Sequence, residues 1–348
     1  MGDEEPPTST NETFWSFGGV SFGGGSFGGG STLLLIRSYE EARHVFAIIL
    51  SVNSLILVLG IIVNAAICYV MLRGRRYKRN SSNFFITHLS VVELVYRLLV
   101  FPFIIYSAVP ASEINTFQCK VTAFLSKTSA SAIFVSLVAI ATDRHQSIVH
   151  SLKALKSKGK PRLLLWLVWL YAVIVSSPYV ISVKGIPVLE IPEMKGMDCE
   201  DCVDKKLCDI PQNSLGQSST TLYFLLAFIA PIIVISALYT EVAIFLHRRG
   251  DSGMMNHVAA KSKSKAVRML IVTVFGYVLS LGPAVVFAMV RSYGALNETS
   301  FRVMLLISGI VDFASYTSSL GNPLIYAYYN RDFRKELLRT FRRRNRQK

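Results

Sequence analysis

The chain has 348 residues, 51% of them hydrophobic and only 17% charged, with a mean hydropathy of +0.42 and a formal charge of +15. That balance is too apolar for an ordinary soluble domain and marks an integral membrane protein in contact with a lipid bilayer. The cations sit in short connections between apolar runs instead of along one soluble face, which argues against nucleic acid as a partner and reads as a topology signal.

Residues 1–44 form the first region, an extracellular arm built on TSTNETFWSFGGVSFGGGSFGGGS. This Gly/Ser/Phe tract buries too little apolar surface to order itself, so a flexible arm is expected. Asn11-Glu12-Thr13 is a glycosylation sequon usable on an outside arm. Met1 to Glu5 is acidic where a secretory leader needs cations, so the first span is expected to act as signal anchor. Pro6 stands where a myristoylation motif needs Ser or Thr.

Apolar stretches follow at 46–72, 83–109, 118–147, 162–184, 219–247, 265–292 and 301–328. Each exceeds the roughly 20 residues that a helix needs to cross a bilayer. Arg73, Arg75, Arg76, Lys78 and Arg79 separate the first two; Lys153, Lys156, Lys158, Lys160 and Arg162 the third and fourth; Arg248, Arg249, Lys261, Lys263 and Lys265 the fifth and sixth. By the positive-inside rule these connections are cytoplasmic, with the N-terminus outside and the C-terminus inside. The longest outer connection, 185–218, is acidic, and Asn297-Glu298-Thr299 is a second outer sequon.

Cys68 lies within the first span and reads as a small buried apolar residue. Cys119, Cys199, Cys202 and Cys208 fall on the oxidising side, an even set suited to two disulfides. One bridge is expected to tie the third span to the outer loop. Cys208 is the favoured partner of Cys119, with Cys199 and Cys202 pairing locally, although spacing leaves the connectivity open and a zinc site is the rival use of Cys199-x-x-Cys202.

The third span closes on Asp143-Arg144-His145, where hydrocarbon gives way to cytosol, and small residues line the face before it. A lone Arg there would be a snorkelling anchor. Its company suggests more. Asn64 lies in the first span, Leu89-Ser90-Val91-Val92-Glu93 in the second, Trp169 and Pro178 in the fourth, Pro231 and Tyr239 in the fifth, Ser280-Leu281-Gly282-Pro283 in the sixth, and Asn322-Pro323-Leu324-Ile325-Tyr326 in the seventh. In this order the motifs resemble those of the rhodopsin-like (class A) G-protein-coupled receptors, over residues 45–342. Asp143-Arg144-His145 is similar to that family's Asp-Arg-Tyr, the second-span motif to Leu-Ala-x-x-Asp, the sixth-span motif to Cys-Trp-x-Pro, and Cys119 to the disulfide cysteine that opens the third span.

The resemblance implies an all-α membrane protein, a seven-transmembrane helix bundle over 45–329. A short amphipathic eighth helix and basic cytoplasmic tail would follow at 330–348. It implies no enzyme and no cofactor or metal. It also implies a receptor carrying the binding of an extracellular ligand to heterotrimeric G proteins at the plasma membrane. Asp143, Arg144, Tyr239, Asn322, Pro323 and Tyr326 would form the coupling switch, and Pro231 and Pro283, which free backbone carbonyls, would be hinges. Asn64, Glu93 and Arg97 would be the polar core.

The departures matter too. Glu93 replaces the family's Asp at a sodium pocket, and its longer side chain and the apolar Ile133 opposite argue against sodium. Arg97 follows at i+4, the spacing that favours an ion pair. That pair either fills the pocket or only makes two buried charges tolerable. Leu281 stands at the toggle tryptophan, and Lys263 where many relatives place an acid that restrains the third-span Arg, so raised basal activity is expected. Lys127, Leu281, Arg291 and Asp312 would face the ligand pocket. Ser126 stands where amine receptors carry an Asp, which argues against a monoamine. Lys127 and Asp312 either pair with each other or meet a zwitterionic ligand such as a peptide, favoured over a small anionic or lipid ligand, with a carboxylate at Lys127 or Arg291 and a cationic group at Asp312. The competing classes are a non-signalling scavenger or escort receptor and a transporter. A transporter would show paired repeats that are absent from the sequence.

Overall fold

The computed structural model describes residues 31–73, 76–78, 81–107, 114–150, 161–187, 190, 206–251, 257–299 and 301–329. Within them seven long helices follow one another: α1 Ser31–Arg73, α2 Ser81–Ser107, α3 Thr116–Val149, α4 Pro161–Ser182, a fifth helix α5, α6 His257–Ser292 and α7 Phe301–Tyr329. The helix α5 runs as an α-helix over Ser214–Tyr223, a π-helical turn over Phe224–Ile229 and an α-helix again over Ala230–Asp251. Asn11, Cys199, Cys202 and the expected eighth helix lie outside the described residues.

The helix α1 begins at Ser31, inside the arm expected to be disordered through residue 44. The cause is local: from Ser31 to Leu59 there is neither Gly nor Pro, and Glu40, Glu41, Ala42 and Arg43 are strong helix formers, so nothing stops the first span from extending outward. Five segments are long and apolar enough to cross a membrane: Ala47–Arg73, Thr116–Val149, Leu163–Ser182, Ser214–Arg249 and Val267–Ser292. The other two helices, α2 and α7, complete the bundle. α1 packs on α2 and α7, α2 on α3, α3 on α4 and α5, α5 on α6, and α6 on α7.

The helix α3 is the central strut. It buries Ser129, Ser131, Ala132, Ser136, Ala139 and Ala141, small residues that let neighbouring backbones come close where no hydrophobic effect draws helices together. It starts with a reciprocal cap: Gln118 N–H donates to Asn115 Oδ1 (2.9 Å) and Asn115 N–H to Gln118 Oε1 (2.9 Å). Over its outer end lies a hairpin absent from the sequence reading, β1 Lys184–Pro187 antiparallel to β2 Lys206–Asp209 with Gly185 opposite Cys208. The Cys119–Cys208 disulfide fastens this hairpin to α3, with Cα atoms 5.3 Å apart.

In the π register of α5 the donor for the Leu226 carbonyl would be residue 231, a proline without an N–H. Tyr171 of α4 supplies one, its hydroxyl donating to Leu226 O at 2.8 Å. Pro178, Pro283 and Pro323 lie inside α4, α6 and α7 without ending them.

Candidate functional site

The named residues fall at three depths. At the inner end of α3, Arg144 Nε donates to Asp143 Oδ2 at 3.1 Å, the pair expected from the motif. Tyr239 of α5 is buried and close enough to Arg144 to interact with its charge. His145 Nε2 lies 2.7 Å from Glu241 Oε2, binding α3 to α5 beside the pair. Glu241 was missed from sequence; a single acid among basic inner residues was its only signal. The side chains of Asn322, Tyr326 and Lys263 lie outside the described residues, whereas Pro323 is buried in α7.

Midway through the bundle, Glu93 and Arg97 form an ion pair, each 1% exposed. The i,i+4 spacing brings the two side chains together on one face of α2. Arg97 also donates to the Glu93 carbonyl (3.2 Å), to the Tyr316 carbonyl (3.3 Å) and to Ser318 Oγ (3.4 Å), so α2 is bound to α7. The second Glu93 oxygen accepts from Tyr277 of α6 at 3.2 Å and from Ser318 at 3.5 Å. A buried carboxylate is tolerable only when paired and hydrogen-bonded in this way. Asn64 extends the cluster to α1, donating to Gly60 O (2.9 Å) and Ser319 O (3.0 Å). A Cβ on Gly60 would lie 2.3 Å from Ser319 Oγ and 3.2 Å from Arg97 Nε, so only glycine lets α1 reach α7 here. The Glu93 carboxylate is thus matched by the guanidinium that the i,i+4 spacing predicts.

Leu281 is half-buried against the core, and the aromatic residue at this level comes from elsewhere. Phe228, in the π turn of α5, sets its ring where a Gly282 Cβ would be, with Cζ at 3.0 Å, and meets Phe134 of α3 edge-on with centroids 5.2 Å apart. On the other side of α3, Trp169 Nε1 donates to His88 Nε2 (3.1 Å), and His88 Nδ1 lies 3.2 Å from Ser136 Oγ. Ser136 donates its own hydrogen to Ala132 O at 2.6 Å. The serine oxygen must then accept from His88, which places the imidazole hydrogen on Nδ1 and leaves Nε2 to accept from the indole. His88 thus joins α2, α3 and α4 as a neutral ring.

In the outer half, Lys127 Nζ lies 4.4 Å from the Tyr179 ring centroid of α4 and 5.5 Å from that of Tyr223 of α5. Tyr223 donates its hydroxyl to Lys127 O at 2.9 Å, holding the cage in place. Asp312 of α7 interacts with Lys127 through its charge but forms no ion pair with it among the described residues. A desolvated cation–π contact supplies about 2 kcal/mol, less than the several kcal/mol of burying an ammonium without an acceptor. Arg291, at the end of α6, is paired with Asp209 of the hairpin, Nη2 to Oδ2 at 2.8 Å. Nearby, Gln212 and Asn297 exchange both amide hydrogen bonds (2.8 and 2.9 Å), and Gln212 also donates to Arg291 O at 3.2 Å. Asn297, the asparagine of the second sequon, thereby ties the turn after α6 to the start of α5.

The family described as 7 transmembrane receptor (rhodopsin family) matches residues 63–326. Neuropeptide FF receptor 2 of Rattus norvegicus is 24% identical over 310 residues, covering 85% of this chain and 73% of that receptor. Neuropeptide Y receptor type 1 of Xenopus laevis is 25% identical over 292 residues, 81% of this chain and 77% of the receptor. Neuropeptide FF receptor 1 of Homo sapiens is 22% identical over 317 residues, 88% and 73% respectively. With the family matched from the first span to the last, and the disulfide-tethered hairpin, the buried second-helix carboxylate and the Asp143–Arg144 pair in their places, the chain belongs to the rhodopsin family of seven-transmembrane receptors.

Proposed function

We propose that this receptor sits in the plasma membrane with its N-terminus outside, binds a peptide in the outer half of the bundle, and activates heterotrimeric G proteins at its inner face. The observation that carries the reading is the likeness, across 85% of the chain, to a receptor named for a neuropeptide. Lys127, Leu281 and Asp312 supply the outer pocket, while Arg291 braces the hairpin through Asp209. Arg144, released from Asp143, meets the G protein, with Tyr239, Asn322, Pro323 and Tyr326 steadying the shifted helices. Binding favours one of two bundle packings, and Pro231 and Pro283 are the places where they differ.

The test is G-protein dissociation in cells expressing the wild type and Arg144→Ala at equal surface level, across the main Gα subtypes, without ligand and then with a neuropeptide panel. The expected result is a signal in the wild type, above mock cells even without ligand, that Arg144→Ala abolishes. A wild type silent with every subtype and peptide would overturn the reading in favour of a non-signalling receptor, to which Leu281 at the toggle position and the ion pair at Glu93 lend support.

A further inference from the structure

Resting on the peptide-receptor reading, we propose that Lys127 anchors a carboxylate of the ligand, and that Arg291 does not. Sequence left the two cations as equal candidates for this task. Their surroundings separate them. Arg291 is already neutralised by Asp209 at 2.8 Å, and Asp209 is held in place by the neighbouring Cys119–Cys208 bridge, so a ligand acid would have to displace a tethered acid to reach it.

Lys127 is in the opposite position. It lies eight residues inward of Cys119, about 12 Å along α3. Its ammonium carries three N–H donors. The Tyr179 and Tyr223 rings beside it present π faces, which attract the charge but accept no strong hydrogen bond. The Tyr223 hydroxyl is spent on Lys127 O and on Ser131, which lies at 3.3 Å. Among the described residues no carboxylate stands within ion-pair distance of the ammonium. The next residue, Thr128, has a buried hydroxyl that likewise lacks a partner among them. The rings hold the cation at a fixed point in the outer half of the bundle, and its donors are completed by an anionic oxygen brought from outside. A carboxylate fits, from a peptide C-terminus or from an acidic side chain, and an amide forfeits the charge.

The experiment measures binding to the purified full chain in nanodiscs by thermal shift, using three probes. N-acetylphenylalanine carries a free α-carboxylate, N-acetylphenylalaninamide is its neutral counterpart, and N-acetylglutamic acid α-amide carries its acid on the side chain. The α-acid is expected to bind the wild type about tenfold or more tightly than the amide, the discrimination a charged hydrogen bond supplies. Whether the glutamate probe matches the α-acid or falls short tells which source the cage suits. Lys127→Arg retains the preference, Lys127→Met loses it, and Arg291→Met leaves it unchanged. Equal binding of acid and amide to the wild type, a comparison that needs no variant, would overturn the proposal. So would a preference that survives in Lys127→Met or disappears in Arg291→Met. Because no signalling is read, these results stand apart from the G-protein assay, which decides the receptor reading independently.

Discussion

Replacing Arg97 by Met removes one half of the ion pair in the middle of the bundle and leaves the Glu93 carboxylate 1% exposed, with Tyr277 and Ser318 as its hydroxyl donors among the described residues. Breaking a buried pair from one side costs about 3–5 kcal/mol, because the remaining charge is stranded. Removing both charges, Glu93→Gln with Arg97→Met, restores most of that loss and brings the double variant within about 1–2 kcal/mol of the wild type, since the two single effects share one interaction. Thermal unfolding in nanodiscs, followed with a thiol-reactive dye that reports on buried Cys68, measures the wild type, Arg97→Met, Glu93→Gln and the double variant. Run in NaCl and again in KCl, the wild type is expected to melt identically, as the guanidinium already supplies the positive charge at Glu93. Arg97→Met is expected to gain stability from sodium, which finds oxygen ligands in Glu93 and Ser318. If Arg97→Met melts with the wild type, or the double variant is as unstable as the sum of its parts, the pair does not hold the core together.

Gly60→Ala sets a methyl 2.3 Å from Ser319 Oγ, which is held by its bond to Tyr316 O; a loss of about 1–3 kcal/mol is expected from overpacking, read as reduced surface expression and an earlier melt. His88→Leu strands the Trp169 indole N–H and costs about 1–3 kcal/mol, whereas His88→Asn, with a carbonyl able to accept that hydrogen, loses less; equal losses in the melting assay would show that the ring matters only for its volume.

The Asp143–Arg144 pair, adjacent residues that helix spacing does not turn toward each other, was legible only through the motif it resembles. The Glu93–Arg97 pair was legible because i,i+4 spacing on one helix decides which side chains meet. The seven spans were legible for a similar reason, since apolar length is read locally and the bilayer sets the threshold. The Cys119–Cys208 bridge was favoured from which side of the membrane its cysteines occupy and needed the hairpin register to be placed. The start of α1 was misjudged because the glycine-rich tract was taken to reach past residue 31, where the breakers in fact end.

The sequence by itself determined that this chain is a seven-helix membrane protein and to which family its motifs point, because hydropathy and motif order are properties of the chain. Only the tertiary structure decided that Arg291 is claimed by Asp209 while Lys127 faces two tyrosines, that Tyr277 donates to Glu93, and that Phe228 fills the space over Gly282. These contacts join helices far apart in the chain. Their existence depends on how each helix is rotated and how deeply it sits against its neighbours, and packing of the whole bundle sets both.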